Sequence, residues 1–168
     1  MLQIQEWVPV EEARRLILRE FHPLPPESVP LSQALGRILA EDVQAEVDLP
    51  PFPNSAMDGY AVRAEDVRTA SRERPVRLRV RGEAAAGRPF PSGVEPGTAV
   101  RIATGALLPS GADAVIPVED TDDAGGPGRP LPPEIAVFRP AQPGQFIRPA
   151  GEDVARGTVA LERGTILT

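Results

Sequence analysis

Cysteine and lysine are both absent from the 168 residues, and histidine occurs once. Without cysteine there are no disulfide staples and no thiolate metal site, and the single His22, lodged before Pro23, has no partner histidine for a transition-metal centre. Without lysine there is no Schiff-base former and no P-loop lysine, so all 18 basic residues are arginine. Aromatic residues make up only 4%, too few for a stacking platform for single-stranded nucleic acid, and a net charge of -6 argues against non-specific binding to a polyanion. No nucleic-acid partner is therefore expected. The sequence also lacks a signal-peptide pattern and a long apolar run, so no membrane association is expected and a cytoplasmic location is the default.

What the chain has in abundance is punctuation. Its 21 prolines and 15 glycines lie between short apolar runs, and 41% hydrophobic content is enough for a real core. The densest punctuation falls in Pro50 to Val62, PPFPNSAMDGYAV. Pro50, Pro51 and Pro53 fix φ and withhold N–H donors, which holds the approach to Asn54 and Ser55 stiff. Asp58-Gly59 reads as a tight-turn signal, and Tyr60, Ala61 and Val62 as the start of a strand. On turn chemistry alone the stretch is either a stiffened β-turn whose polar side chains bond their own backbone or a loop that presents them to a ligand.

Taken in order, Val10 to Phe21 reads as an amphipathic helix with Val10, Ala13, Ile17 and Phe21 on one stripe. A second helix is expected from Ser32 as N-cap to about Ala40, with Leu35, Ile38 and Leu39 buried. From Val43 to Val47 the period changes toward two, which predicts a strand. Arg63 to Arg74 reads as a surface helical turn or a mobile connection. Val76, Leu78 and Val80 alternate with Arg77, Arg79 and Arg81, giving one core face and one row of guanidinium groups in solvent. Further strands are expected at Ala99–Ala103, Ala114–Val118 and Ile135–Phe138, with a loop tip at 125–133. Arg156-Gly157-Thr158-Val159 and Arg163-Gly164-Thr165-Ile166 form a small repeat, read as two short strands each entered through a glycine turn. The fold class expected is α+β, mainly β: a compact β-barrel or sandwich-like domain over 47–146, inserted into a discontinuous α+β unit of 1–46 and 147–168 that includes the amphipathic helix.

Three loops at strand ends hold the polar groups able to do chemistry: Asn54, Ser55 and Asp58; Thr104 with Gly105; and Arg148, Gly151, Glu152 and Asp153. Asp58 and Asp153, if brought together, offer hard oxygen ligands suited to Mg²⁺, and such an ion bridges phosphate oxygens in group transfer. Thr104 is a hydroxyl donor, and the N–H groups around Gly105 are candidates for an anion cradle. The plain alternatives are a strand end at Thr104-Gly105 and a solvated turn at Glu152-Asp153.

The stretch from Pro50 to Val62 resembles the signature segment of the molybdopterin molybdenumtransferase (MoeA) family, whose relatives include the E domain of gephyrin. Ala34 to Val43, Arg101 to Ala106 with Pro109 to Val115, and Ile147 to Val154 are similar to that family's other blocks, in the same order. The resemblance implies a transferase late in molybdenum-cofactor synthesis: adenylylated molybdopterin is consumed, molybdate is inserted at the dithiolene and AMP is released with help from a divalent cation, Mg²⁺. It implies functional roles for Asp58, Thr104 and Asp153. Asp58 and Asp153 remain the candidate metal ligands, and Asn54, Ser55, Gly105 and Arg148 the candidate cofactor-binding residues, on the reading of the loops above. It further implies a homodimer whose active site lies between subunits, so that this chain supplies one wall. Family members run to more than twice this length, through a second α/β domain and a small β domain. The TG block departs from the family in having Leu107-Leu108 where a proline is common. The chain is then either an N-terminal portion of the enzyme or a short homologue, and a non-catalytic dimerisation or scaffold module is the alternative use of the same architecture.

Overall fold

The computed structural model describes residues 7–123 and 129–168, so the turn-rich tip read at 125–133 lies partly outside the described residues. The chain divides into two units, Met1–Asp42 with Glu162–Thr168, and Val43–Leu161. Among the described residues the regular elements are one α-helix, α1 (Val10–Arg19), and the strands β1 (Val43–Gln44), β2 (Asn54–Ser55), β3 (Gly59–Val62), β4 (Val76–Ala84), β5 (Thr98–Ile102), β6 (Ala114–Pro117), β7 (Glu134–Val137), β8 (Ile147–Arg148) and β9 (Val159–Leu161). The fold is mainly β, as the alternating runs and turn spacing imply. Among the described residues no helix is long and apolar enough to cross a membrane.

In the larger unit, a five-stranded sheet has the order β6-β3-β5-β4-β7, antiparallel except between β4 and β5. Every residue of β3, β5 and β6 is buried, which requires both faces of the sheet to be covered. Period-two geometry sorts their side chains to opposite sides. Tyr60 and Val62 join Leu78, Ile116, Ile135 and Val137 in one cluster, while Ala61 joins Val100, Ile102 and Val115 in the other. The first cluster is closed by a 3-10 turn at Ala64–Val67, with Ala64 and Val67 buried, and by buried Ala70 just after it. The charged stretch after Arg63 is thus a core lid: small residues and one valine suffice because the turn lies close against the sheet. The guanidinium row on β4 is exposed as expected, with Arg77 paired to Glu134 and Arg81 to Glu95.

Asp58-Gly59 is not the tight turn that its composition suggests. Gly59 opens β3 in the middle of the sheet, and a Cβ on it would lie 2.0 Å from the carbonyl oxygen of Ile116 in β6. Glycine is required by the close approach of two backbones, not by a turn conformation.

A buried polar group crosses the sheet beside this point. Tyr60 of β3 faces Arg101 of β5 in register. Arg101 is buried and pairs with Glu83, which a register shift in β4 brings opposite it. Arg101 also donates to the carbonyls of Arg129 and Pro130, and the Tyr60 hydroxyl donates to Asp123 at 2.6 Å. A lone arginine inside an apolar strand was the sequence signal for this network.

In the smaller unit, α1 carries Glu11 and Glu12 in its first turn and Arg19 in its last, which suits the helix dipole. None of its residues is buried. The helix expected from Ser32 to Ala40 does not form: only a 3-10 turn at Leu31–Gln33 is present, and Leu35 and Ile38 are 78% and 65% exposed. Gly36 takes φ +76°, a left-handed conformation that ends any helix, and the chain beyond it pairs with the C-terminal segment. Ile38 bridges Ile166, and Leu39 donates to the Thr165 carbonyl at 2.9 Å. In the larger unit the strand expected at Val43–Val47 is likewise shortened to β1, which pairs with β9.

The glycine repeat has a structural counterpart. Gly164 N–H bonds the Leu39 carbonyl and Arg163 N–H bonds Asp42 Oδ1; Gly157 N–H bonds the Ala45 carbonyl and Arg156 N–H bonds Asp48 Oδ1. Each copy therefore receives an aspartate three residues after the carbonyl that accepts its glycine.

Candidate functional site

The loop from Leu49 to Asp58 is the hub on which the other two polar blocks dock. Its prolines withhold donors, so the docking uses its carbonyls and its few N–H groups. The Leu49 carbonyl accepts from Asp153 and Val154, the Pro50 carbonyl from Gly151, and the Pro53 carbonyl from Leu108. Ser55 N–H donates to the Ala106 carbonyl, and Gly105 N–H donates to the Ser55 carbonyl at 2.8 Å. β2 pairs antiparallel with β8, Asn54 opposite Arg148 and Ser55 opposite Ile147, while Asn54 also bridges Leu107. Ala56 N–H then bonds the Phe146 carbonyl at 2.9 Å, one step further along the same ladder. Three segments far apart in sequence meet on this small ledge.

Asp58 and Thr104 are joined directly. Asp58 Oδ1 accepts from the Thr104 N–H at 2.7 Å and from the Thr104 hydroxyl at 2.9 Å. Both residues are exposed, at the end of the β3–β5 pair, so the contact holds a carboxylate at the surface in a fixed orientation. Among the described residues no donor reaches its second oxygen, Oδ2, which leaves that oxygen open to a cation or a ligand hydroxyl.

Asp153 is held differently. Arg148 Nη2 donates to both of its carboxylate oxygens, and Arg148 Nε donates to Glu152 at 2.6 Å. Hydrogen bonding to Asp153 and then to Glu152 raises the Arg148 guanidinium further above its ordinary range. The two aspartates thus have separate internal partners. Among the described residues there is no group of three or more acidic or histidine side chains able to hold a metal. Mg²⁺ needs only one or two protein carboxylates when substrate phosphate and water supply the rest, so Asp58 Oδ2 fits such an ion, and Asp153 fits once released from Arg148.

The remaining sequence candidates are placed as follows. Ser55 is buried, its hydroxyl donating to the Met57 carbonyl at 2.6 Å and accepting from Met57 N–H at 3.2 Å, so it shapes the bend that delivers Asp58. The N–H groups of Thr104 and Gly105 are both committed within the chain, which removes them as donors for an anion cradle. Gly105 instead helps fix the position of Thr104. Asn54 is buried between Arg148 and Leu107 on the ledge. Sequence reasoning missed Phe146, whose φ of 55° makes it the one non-glycine residue with positive φ among those described.

A family model described as the MoeA N-terminal region (domain I and II) matches residues 8–168. The chain is 46% identical over 159 residues to molybdopterin molybdenumtransferase 2 of Mycobacterium tuberculosis, an alignment of 95% of this chain with 38% of that protein. It is 40% identical over 168 residues to the molybdopterin molybdenumtransferase of Bacillus subtilis, aligning 100% of itself with 38% of the relative. The solved structure of the molybdopterin biosynthesis MoeA protein from Pyrococcus horikoshii OT3 matches with a TM-score of 0.86 at 42% identity, over 96% of this chain and 41% of that one. The chain spans less than half the length of these relatives.

Proposed function

Because the chain belongs to the MoeA N-terminal family, we propose that it serves molybdenum-cofactor biosynthesis as the N-terminal part of a molybdopterin molybdenumtransferase. Adenylylated molybdopterin and molybdate are the substrates in this reading, and AMP is released. The observation that carries it is the ledge: three polar segments are brought together, and Asp58 is oriented by two hydrogen bonds from Thr104.

The roles follow from the donors and acceptors. Asp58, through Oδ2, would hold Mg²⁺, which when bound would supply positive charge beside the substrate phosphate. Thr104 keeps the carboxylate in place. Arg148 meets anionic oxygens of the substrate, and Asp153, freed from that pair, would be the second carboxylate available to the ion. Asn54 lines the ledge, and Ser55 and Gly105 hold its shape. Two carboxylates would leave most of an ion's shell to substrate and water. As the family resemblance implies, this chain forms one wall of a site completed across a homodimer. The exposed apolar side chains of α1, among them Val10, Ile17 and Leu18, with Phe21 just beyond its end, are suited to such association.

The test is a graft. Residues 1–168 replace the matching part of the Bacillus subtilis relative, and molybdate insertion into adenylylated molybdopterin is measured with Mg²⁺ present. An active graft that loses turnover with Thr104→Val supports the assignment; a graft that folds and stays inactive counts against it.

A further inference from the structure

Aromatic side chains in the larger unit are unevenly exposed. Tyr60 is buried, Phe90 and Phe138 are half-buried, and Phe52 and Phe146 are 39% and 38% exposed. Both exposed rings belong to the ledge: Phe52 lies in the hub loop, and Phe146 directly precedes β8.

A single exposed ring is ordinary, but the backbone at Phe146 is not. Its φ of 55° is a left-handed conformation that glycine and asparagine take readily and that a bulky side chain adopts at a cost. Neighbouring hydrogen bonds fix the conformation from both sides. The Gly144 N–H donates to the Asp113 carbonyl at 2.7 Å, and the Gln145 carbonyl accepts from Val115 at 3.0 Å. The Phe146 carbonyl accepts from Ala56 at 2.9 Å, and Ile147 pairs with Ser55. The chain thus passes from β6 to the hub loop across this one residue. That passage requires a left-handed link, but it does not require phenylalanine. Nor does the core, since Ile147 packs against the cluster of Ala61, Val100 and Ile102 while Phe146 joins neither cluster. A costly residue that serves neither backbone nor core is retained where function needs its side chain in that place.

The surroundings indicate what the ring serves. Arg148 lies two residues after Phe146, and Ala56, its hydrogen-bond partner, lies two residues before Asp58. The centre of a protein–protein interface is depleted of charge, whereas a ring set between a guanidinium and a carboxylate suits a small ligand that is flat at one end and anionic at the other.

We infer that Phe146 is a substrate-binding residue, its exposed ring stacking on the flat fused-ring heterocycle of the ligand while Arg148 meets the anionic oxygens. This rests on the assignment of the ledge to the molybdopterin site and adds a contact to it. Stacking needs only a planar π-face and no hydrogen-bond pattern, so the shared chemistry is a fused nitrogen heterocycle. Adenylylated molybdopterin carries two, the pterin and the adenine.

The chain has five phenylalanines, so labelling at phenylalanine gives few ring signals in the NMR spectrum, and that of Phe146 is the one missing from Phe146→Tyr. The 168-residue chain is titrated separately with molybdopterin and with AMP, while its backbone amides are followed. The expected result is an upfield shift of the Phe146 ring protons, caused by the ring current of the stacked ligand. A shift with molybdopterin assigns the seat to the pterin and a shift with AMP assigns it to the adenine; either supports the inference. Phe146→Leu keeps an apolar side chain but no π-face, and is expected to bind that ligand about 10-fold more weakly, whereas Phe146→Tyr keeps close to wild-type affinity. Equal binding by the leucine variant overturns the inference, as does an unmoved Phe146 ring while the Thr104 or Arg148 amide shifts, and both results leave the site assignment standing. If no resonance responds to either probe, the assignment of the ledge fails and the Phe146 role fails with it. The wild-type titration does not depend on whether the leucine variant folds.

Discussion

Arg148 and Asp153 hold each other in a two-bond fork, with one guanidinium nitrogen 2.6 and 2.7 Å from the two carboxylate oxygens. Both side chains are more than a third exposed, so the pair adds little to stability. Its importance is availability, because Asp153 cannot give both oxygens to a cation while Arg148 occupies them. Arg148→Gln is expected to bind Mn²⁺, used as a paramagnetic stand-in for Mg²⁺, about 3–10-fold more tightly than the wild type, through loss of a competing positive charge. Water-proton relaxation measures this, and unchanged affinity would place the ion away from Asp153.

Asp58→Asn separates catalysis from folding. Asparagine keeps an oxygen that accepts from Thr104 but removes the charge, so the melting temperature should change little. In the active graft, turnover should fall by ~10²-fold or more, the scale of losing one electrostatic stabiliser at a reacting centre. Turnover and melting on the same preparation decide the matter, and normal turnover would reduce Asp58 to an anchor for the Thr104 strand end.

Gly59→Ala should damage the fold where Asp58→Asn does not. The added Cβ would lie 2.0 Å from the Ile116 carbonyl oxygen and 3.0 Å from Pro117 Cα, both backbone atoms that cannot rotate away. Separating β3 from β6 is expected to cost about 3 kcal/mol. Urea denaturation reads the loss directly, and a variant as stable as wild type would mean that the two strands tolerate a wider spacing.

Tyr60, the only tyrosine, reports on the buried network in alkaline solution. Burial first, then its hydrogen bond to Asp123 and that residue's charge, push its hydroxyl pKa well above the ordinary value of 10.0, against an opposing influence from Arg101. Below pH 10.0 the phenol is protonated in both folded and unfolded chains, and its contribution to stability is intact. As pH rises further, the unfolded chain releases the proton more readily, so stability falls by up to ~1.4 kcal/mol per pH unit until the folded value is reached. Phenolate absorbance should therefore appear together with unfolding, and Tyr60→Phe should flatten this limb of the stability curve. Phenolate absorbance near pH 10 in a chain that remains folded would contradict the burial argument.

The sequence by itself determined the mainly-β character, the positions of most strands and the three polar segments, because period-two alternation and turn residues are local signals. Val76 to Val80 could be read as a strand with an exposed arginine face for that reason. What it could not carry were choices made by distant chain. Leu35 and Ile38 suit a helix, but Gly36 and pairing with the C-terminal segment draw them into extended backbone. Asp58-Gly59 has turn composition, yet the glycine answers to the nearby Ile116 carbonyl. Arg101 and Glu83 meet only because β4 shifts register. The site follows the same division. Turn chemistry and separately spaced blocks marked Asp58, Thr104, Arg148 and Asp153, but which of them touch was decided by strand pairing in the folded chain. Tertiary structure coupled Asp58 to Thr104 and Asp153 to Arg148, and it buried Asn54 between two strands that sequence spacing keeps far apart. Hydrogen bonds between such segments depend on distance in space, which no local pattern encodes.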